Sequence, residues 1–134
     1  MLVGIMIHLD TNILIDLVTI GSPQVKRVRD WLAGGESLAV SAIAWSEFCN
    51  GPHSREQKDA VHAILSGNIV AFDESQAEQA SRLFHYTGRR RGSHPDCMIA
   101  AAAMCLSAPV ATRNLKDFER FAPYGLKLNP ISTP

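Results

Sequence analysis

Cysteine is scarce, with three residues in 134, an odd number without metal-ligand spacing. That excludes a fully paired disulfide framework and a thiolate zinc site. Cys49, Cys97 and Cys105 stand in apolar helical contexts and read as small core residues. An excess of one charge is also missing, because 13 basic residues balance 13 acidic ones. The total therefore gives no support to a polyanionic partner, although a carboxylate cluster would offset basic binding residues in the sum. No apolar run approaches the roughly 20 residues of a membrane span; the longest, Met98 to Leu106, is far shorter. The apolar start MLVGIMIHL has no basic n-region and runs straight into Asp10, so no signal peptide is expected. These absences fit a reducing cytosol, with no membrane partner.

What is present is ordinary globular composition, 46% apolar and 19% charged. Repeats, low-complexity tracts and linkers are lacking, so a single domain over 1–134 is expected. The apolar run 5–9 reads as a buried strand, and Asp-Thr-Asn after it starts a helix over 12–19. Gly21-Ser22-Pro23 breaks the chain, with Ser22 as N-cap and Pro23 at the first helical position of helix 24–33. That helix places Val25, Val28 and Leu32 on one face, and Gly34-Gly35 ends it. A second strand, 37–40, runs into a helix over 42–50 capped by Ser41, and Gly51-Pro52 turns the chain. Helix 55–65, strand 69–72 and helix 75–86 follow, the last with Ala77, Ala80, Leu83, Phe84 and Thr87 inward. After a basic, glycine-bounded loop come helix 96–106, strand 108–112, a short helix over 116–121 and a last strand over 126–128. Alternating strands and helices predict a three-layer α/β/α sandwich with a mostly parallel sheet.

In such a sheet, ligands bind beyond the carboxyl ends of the strands. Asp10 ends the first strand, and Glu47 lies about two turns into the helix after the second. Asp96 opens the helix before the fourth strand, while Asn114 and Asp117 follow that strand. Separate segments thus deliver carboxylate or amide oxygens to one sheet edge. Oxygen donors without His or Cys suit Mg²⁺ or Mn²⁺. A carboxylate cluster holding metals about 4 Å apart can activate water and stabilise a leaving oxygen in phosphodiester hydrolysis. Each acid also fits a plainer role. Asp10 and Asp96 stand where N-caps are common. Asp117 taken alone reads best as a cap or surface residue at a solvated helix start. Glu47, between Trp45, Phe48 and Cys49, reads as a buried acid that needs a partner, whether a cation or an arginine.

LDTNILID at 9–16, WSEF at 45–48, PDCMIAAAA at 95–103 and VATRNLKDFERF at 110–121 resemble the four motifs of the PIN-domain ribonucleases. The likeness is strongest to the VapC-type toxins of bacterial toxin–antitoxin pairs. It runs from Met6 to about Pro130, and Met6 is where such toxins often begin, which makes it an alternative start to Met1. The resemblance implies a PIN-like fold, Mg²⁺ or Mn²⁺ dependence, endonucleolytic cleavage of RNA, a homodimer, and an antitoxin whose tail blocks the site. Carried over by position, Asp10 and Asp96 are the principal metal ligands and Glu47 the third acid, with Thr11, Asn12 and Thr112 in support. Many PIN domains carry an acid where Asn114 stands, so Asp117 becomes the substitute for the fourth carboxylate. That departure leaves open a non-catalytic PIN-like binding module, and the same acids would also serve a DNA nuclease or a phosphatase.

Basic residues flank the acids. Arg89, Arg90 and Arg91, between Gly88 and Gly92, are candidate RNA phosphate contacts, and also fit a solvated helix end. Arg113 is a further candidate, equally able to pair with an acid. His94 lacks a spaced partner and reads as incidental. Trp31 and Trp45 read as packing residues rather than base-stacking platforms.

Overall fold

The computed structural model describes residues 6–129. Four short strands, β1 (Met6–Leu9), β2 (Ser37–Ser41), β3 (Ile69–Val70) and β4 (Val110–Ala111), form one sheet in the order β3-β2-β1-β4. Every pairing is parallel: β1 aligns Met6 with Ser37, and His8 with Val110 on its other side. The chain steps outward from β1 through β2 to β3, then crosses back to place β4 against the free edge of β1. The β1/β4 boundary is therefore the topological switch point, where α/β sheets open a crevice at their carboxyl ends. Asp10 leaves β1 at this boundary and Thr112 leaves β4 beside it. The 126–128 strand is reduced to a parallel bridge of Leu128 to Val110.

Seven α-helices flank the sheet among the described residues: α1 (Thr11–Leu17), α2 (Gln24–Ala33), α3 (Ala42–Cys49), α4 (Arg55–Ile64), α5 (Glu74–Tyr86), α6 (His94–Cys105) and α7 (Leu115–Glu119). Leu9, Ile13, Leu14, Leu38, Val40, Phe48, Leu83, Ile99 and Phe118 are fully buried at the centre. Helix α6 buries Cys97 and every residue from Ile99 to Ala103. It is apolar all round, as a helix packed on several sides must be, and its alanines permit close approach to α5, α3 and α7.

Several expected details differ. Strands β3 and β4 are only two residues long, and residue 5 of the expected first strand lies outside the described residues. Helix α6 begins at His94, before Pro95, so Asp96 is its third residue and not its cap. The inward face of α5 is Gln76, Ala80 and Leu83, leaving Ala77 exposed, because a three-to-four-residue step from Gln76 selects those positions. Leu32 on α2 is exposed. Of the cysteines only Cys97 is buried; Cys49 is half-buried and Cys105, near the end of α6, is exposed.

Candidate active site

Asp10 is both a helix cap and a candidate ligand, one oxygen for each duty. As N-cap of α1 it has extended backbone, and its Oδ1 accepts the Thr11 amide at 2.8 Å. Its Oδ2 accepts the Thr112 hydroxyl at 2.7 Å. Thr112, completely buried, in turn accepts the Asn114 amide at 2.9 Å and Asn12 Nδ2 at 3.4 Å. Asn12 Oδ1 accepts the Arg113 amide at 3.3 Å. These bonds stitch the end of β1 to the end of β4 across the switch point. Burial pushes the Asp10 carboxyl above its ordinary range, opposed by the Thr112 and Thr11 hydrogen bonds, with Glu47 adding to the rise.

Glu47 corrects an expectation: it is exposed. Helix α3 buries Ala44 and Phe48, one turn apart, and Glu47 falls off that stripe even though its sequence neighbours are apolar. It joins the site through a different link, the Thr11 hydroxyl, which donates to Glu47 Oε1 at 2.8 Å. Asp96 is half-buried in the first turn of α6, and its carboxyl is pushed up to about 6, first by burial and next by Asp10. Arg120 opposes that rise, while Asp117 and Glu47 reinforce it. Asp10, Glu47, Asp96 and Asp117 therefore share one electrostatic neighbourhood. Asn114 precedes α7 and makes no side-chain cap bond, so its part here is the backbone amide on Thr112.

Among the described residues no three acid, histidine or cysteine side chains converge into a ready-made cation cage. The donor set nevertheless fits a hard divalent ion, because all the donors are carboxylate oxygens and their mutual repulsion is what such an ion would relieve.

The arginines divide. Arg113 Nε lies 2.6 Å from Asp16 Oδ2, a close ion pair between α1 and the β4–α7 turn, so Arg113 is engaged structurally. Arg89 Nε donates to His85 Nδ1 at 2.8 Å, so it is engaged on α5. Arg90 lies 3.7 Å from Asp117, and Arg91 is exposed beside it. His94 packs its ring against Phe84, and Trp45 packs between Phe48 and His62. Two further residues of the site carry little signal in the sequence. Arg120 lies 3.7 Å from Asp96, with its guanidinium 4.7 Å over the Phe121 ring. Its one signal is position, a helical step after Asp117. Asp16 is marked only by being a lone acid in the apolar run NILIDL.

Removing Arg113 strands Asp16, whose side chain is 11% exposed. Arg113→Ala should cost roughly 1–2 kcal/mol, a figure reduced for the partial exposure of the arginine. Urea unfolding of both single variants and the double variant checks this. The losses should be non-additive, and simple additivity would show that the pair is not coupled.

Two groups near the site give opposite pH dependences. The folded chain holds the Asp96 proton more tightly than the unfolded chain does. Its protonation therefore favours folding at low pH, and that benefit is lost as pH rises through about 6. His8, buried on β1 with both ring nitrogens unpartnered, is held down at about 4 by burial. There the unfolded chain takes the proton first, so acidification below the ordinary 6.5 disfavours the fold. Asp96→Asn deletes the first effect and keeps the second. In EDTA it should lose stability more steeply than wild type between neutral and about pH 5; parallel unfolding curves would contradict this.

Residues 7–123 match the family pattern described as the PIN domain. The chain is 31% identical over 126 residues to Ribonuclease VapC1 of Methanocaldococcus jannaschii, covering 91% of this chain and 85% of that protein. It also superposes on a chain of a toxin–antitoxin complex from Klebsiella pneumoniae with 31% identity and a TM-score of 0.67, covering 84% of this chain and 89% of that one. A chain of VapBC2 from Rickettsia felis, solved bound to a promoter DNA fragment, shares the fold with a TM-score of 0.71 at 21% identity, over 95% of this chain and 99% of that one.

Proposed function

We propose, since this chain belongs to the PIN-domain family, that it is a Mg²⁺- or Mn²⁺-dependent endoribonuclease and the toxin of a type II toxin–antitoxin pair. What supports the reading is that Asp10, held by Thr112 and Thr11 at the β1/β4 switch point, is linked through Thr11 to Glu47, and that Asp96 feels the charges of Asp10, Asp117 and Glu47. Asp10, Asp96 and Glu47 would hold the ion, with Asp117 as the fourth acid. A divalent cation in such a site lowers the pKa of water and offsets charge developing on phosphate oxygens.

The chain's own residues prepare the site. Thr112 and the Thr11 amide fix both oxygens of Asp10, so that carboxylate cannot rotate away. The Thr11 hydroxyl holds the exposed Glu47 beside it, sparing the entropy of ordering a long surface side chain at each turnover. Asn12 bridges Thr112 and the Arg113 amide, keeping the β4 turn in register with α1. Asp96, raised to about 6, is mostly ionised at neutral pH and holds its proton only in more acidic solution, where a cation would have to displace it.

The Klebsiella pneumoniae structure that shares the fold is a toxin–antitoxin complex, which supports a protein antitoxin as the cognate partner. A homodimer and a cytosolic setting belong to the same reading. Among the described residues no helix is long and apolar enough to cross a membrane. The test is parallel incubation with RNA, DNA of matching sequence and a small phosphomonoester, in Mn²⁺ and in EDTA. Metal-dependent cuts confined to RNA are expected; exclusive turnover of DNA or of the monoester would overturn the reading.

A further inference from the structure

Beside the acids, between the 88–93 loop and α7, lies a small polar cleft of about 110 Å³. Arg90, Arg91, Ser93 and Arg120 line it together with Asp96 and Asp117. The plain role for three arginines here is charge balance for the two acids. The distances leave that role incomplete. Both ion pairs are long, 3.7 Å for Arg120 to Asp96 and 3.7 Å for Arg90 to Asp117, whereas Arg113 closes on Asp16 to 2.6 Å. A charge-assisted hydrogen bond is ordinarily about 2.7–2.9 Å long, so neither Arg120 nor Arg90 makes one to its acid.

Arg120 is the informative member. Its side chain is only 18% exposed, and Phe121 supports its guanidinium plane at 4.7 Å. Its Nε is buried and has no hydrogen-bond partner. With Nε enclosed, the two Nη groups are the donors an anion in the cleft would meet, and that planar edge is suited to two oxygens of one anion. The opening of α6 adds donors at the same wall. This twelve-residue helix has Ser93 as N-cap without a side-chain cap bond, because Ser93 Oγ donates instead to the Arg90 carbonyl at 2.6 Å. Pro95 carries no N–H, so only His94 and Asp96 supply amides in its first turn, and the positive end of its dipole favours an anion. The loop conformation sorts the three arginines, with Gly88, Arg89 and Gly92 all at positive φ. Arg89 is thereby carried to His85, while Arg90 and Arg91 reach the cleft.

We propose that this cleft is a phosphate subsite, holding a phosphodiester of the bound RNA next to the one that is cut. Arg120 is its fixed donor, and Arg90 and Arg91 are its exposed arms. The assignment rests on the endoribonuclease reading and adds to it a phosphate site that shares its Asp96 and Asp117 wall with the acids. Phosphate contacts give affinity and register without base identity, so the subsite predicts positioning and not sequence preference.

The test needs no catalysis. A fluorescently labelled single-stranded 2′-O-methyl RNA oligonucleotide is titrated with the full chain in EDTA, and anisotropy is read across a KCl series. Arg120→Gln and Arg90→Gln should each weaken binding by roughly three- to tenfold, equally for oligonucleotides of different sequence. Each should also flatten the log affinity–log salt slope by about 0.7, the value for one lost single-strand phosphate contact. Arg120→Lys should restore the slope but only part of the affinity, since it keeps the charge and loses the fork. Unchanged slopes in both glutamine variants would overturn the subsite, as would failure of the wild type to bind the oligonucleotide. If Arg120→Gln does not fold by circular dichroism, the slope of the exposed Arg90→Gln decides the matter alone. Metal-dependent RNA cleavage by wild type, measured separately, keeps the two readings apart: cleavage retained with unchanged slopes removes the subsite alone.

Discussion

Asp96→Asn should lower metal-dependent RNA cleavage by about three orders of magnitude or more while leaving the metal-free fold as stable as wild type or more so. The activity loss follows from removing one anionic oxygen donor from an ion asked to supply several kcal/mol of transition-state stabilisation, at about 1.4 kcal/mol per decade. The stability expectation follows from the environment. The Asp96 carboxyl is raised to about 6 by burial and by Asp10, so at neutral pH its charge opposes folding, and a neutral amide of the same shape relieves that. Asp10→Asn should lose activity to the same degree but also lose stability. Its carboxylate accepts from both Thr11 and Thr112, and the Thr112 oxygen already accepts the Asn114 amide, so an amide cannot reproduce the pattern. Single-turnover cleavage with urea unfolding in EDTA distinguishes the two variants. Near-wild-type cleavage by both would remove the acids from the chemistry.

The second large effect belongs to a residue with no charge. Thr112→Val keeps the shape of a fully buried side chain and removes the hydroxyl at the junction of β1, α1 and β4. The Asp10 oxygen loses its donor and the Asn114 amide its acceptor. A hydrogen bond to a charged group together with a stranded amide should cost roughly 2–3 kcal/mol. Cleavage should fall with it, because Asp10 is freed to turn and its carboxyl is pushed further up. Thr112→Ser should recover most of the stability. Denaturant unfolding decides: wild-type stability in the valine variant would show that Asp10 does not depend on Thr112.

Much of this arrangement is legible in the chain itself. The helix start at LDTN, the helix after Ser41, the basic loop and the alanine-rich helix stand close to where local patterns place them, because capping residues and apolar periodicity are short-range signals. The sheet order is not legible. Strands β3 and β4 are two residues long, and which edge β4 joins depends on packing between segments about a hundred residues apart. Glu47 reads as buried in the sequence and is exposed in the fold, since Trp45 and Phe48 are its neighbours along the chain, whereas exposure depends on helical phase. Arg120 is hidden for the converse reason. KDFERF looks like a solvated helix, and only the fold brings its last turn against Asp96. The Asp16–Arg113 pair likewise joins residues 97 apart in sequence, a coupling no local pattern records.

If these acids form one divalent-cation site, calorimetric titration of Mn²⁺ into the metal-free protein at neutral pH will register it. Run in two buffers of different ionisation enthalpy, it also reads protons released on binding, which a carboxyl raised to about 6 should supply in growing amount as pH approaches that value. Saturable binding to the wild type is expected, with that proton release, and its loss in Asp10→Asn and Asp96→Asn. No binding by the wild type at millimolar Mn²⁺, or undiminished binding by both variants, would contradict a shared carboxylate site.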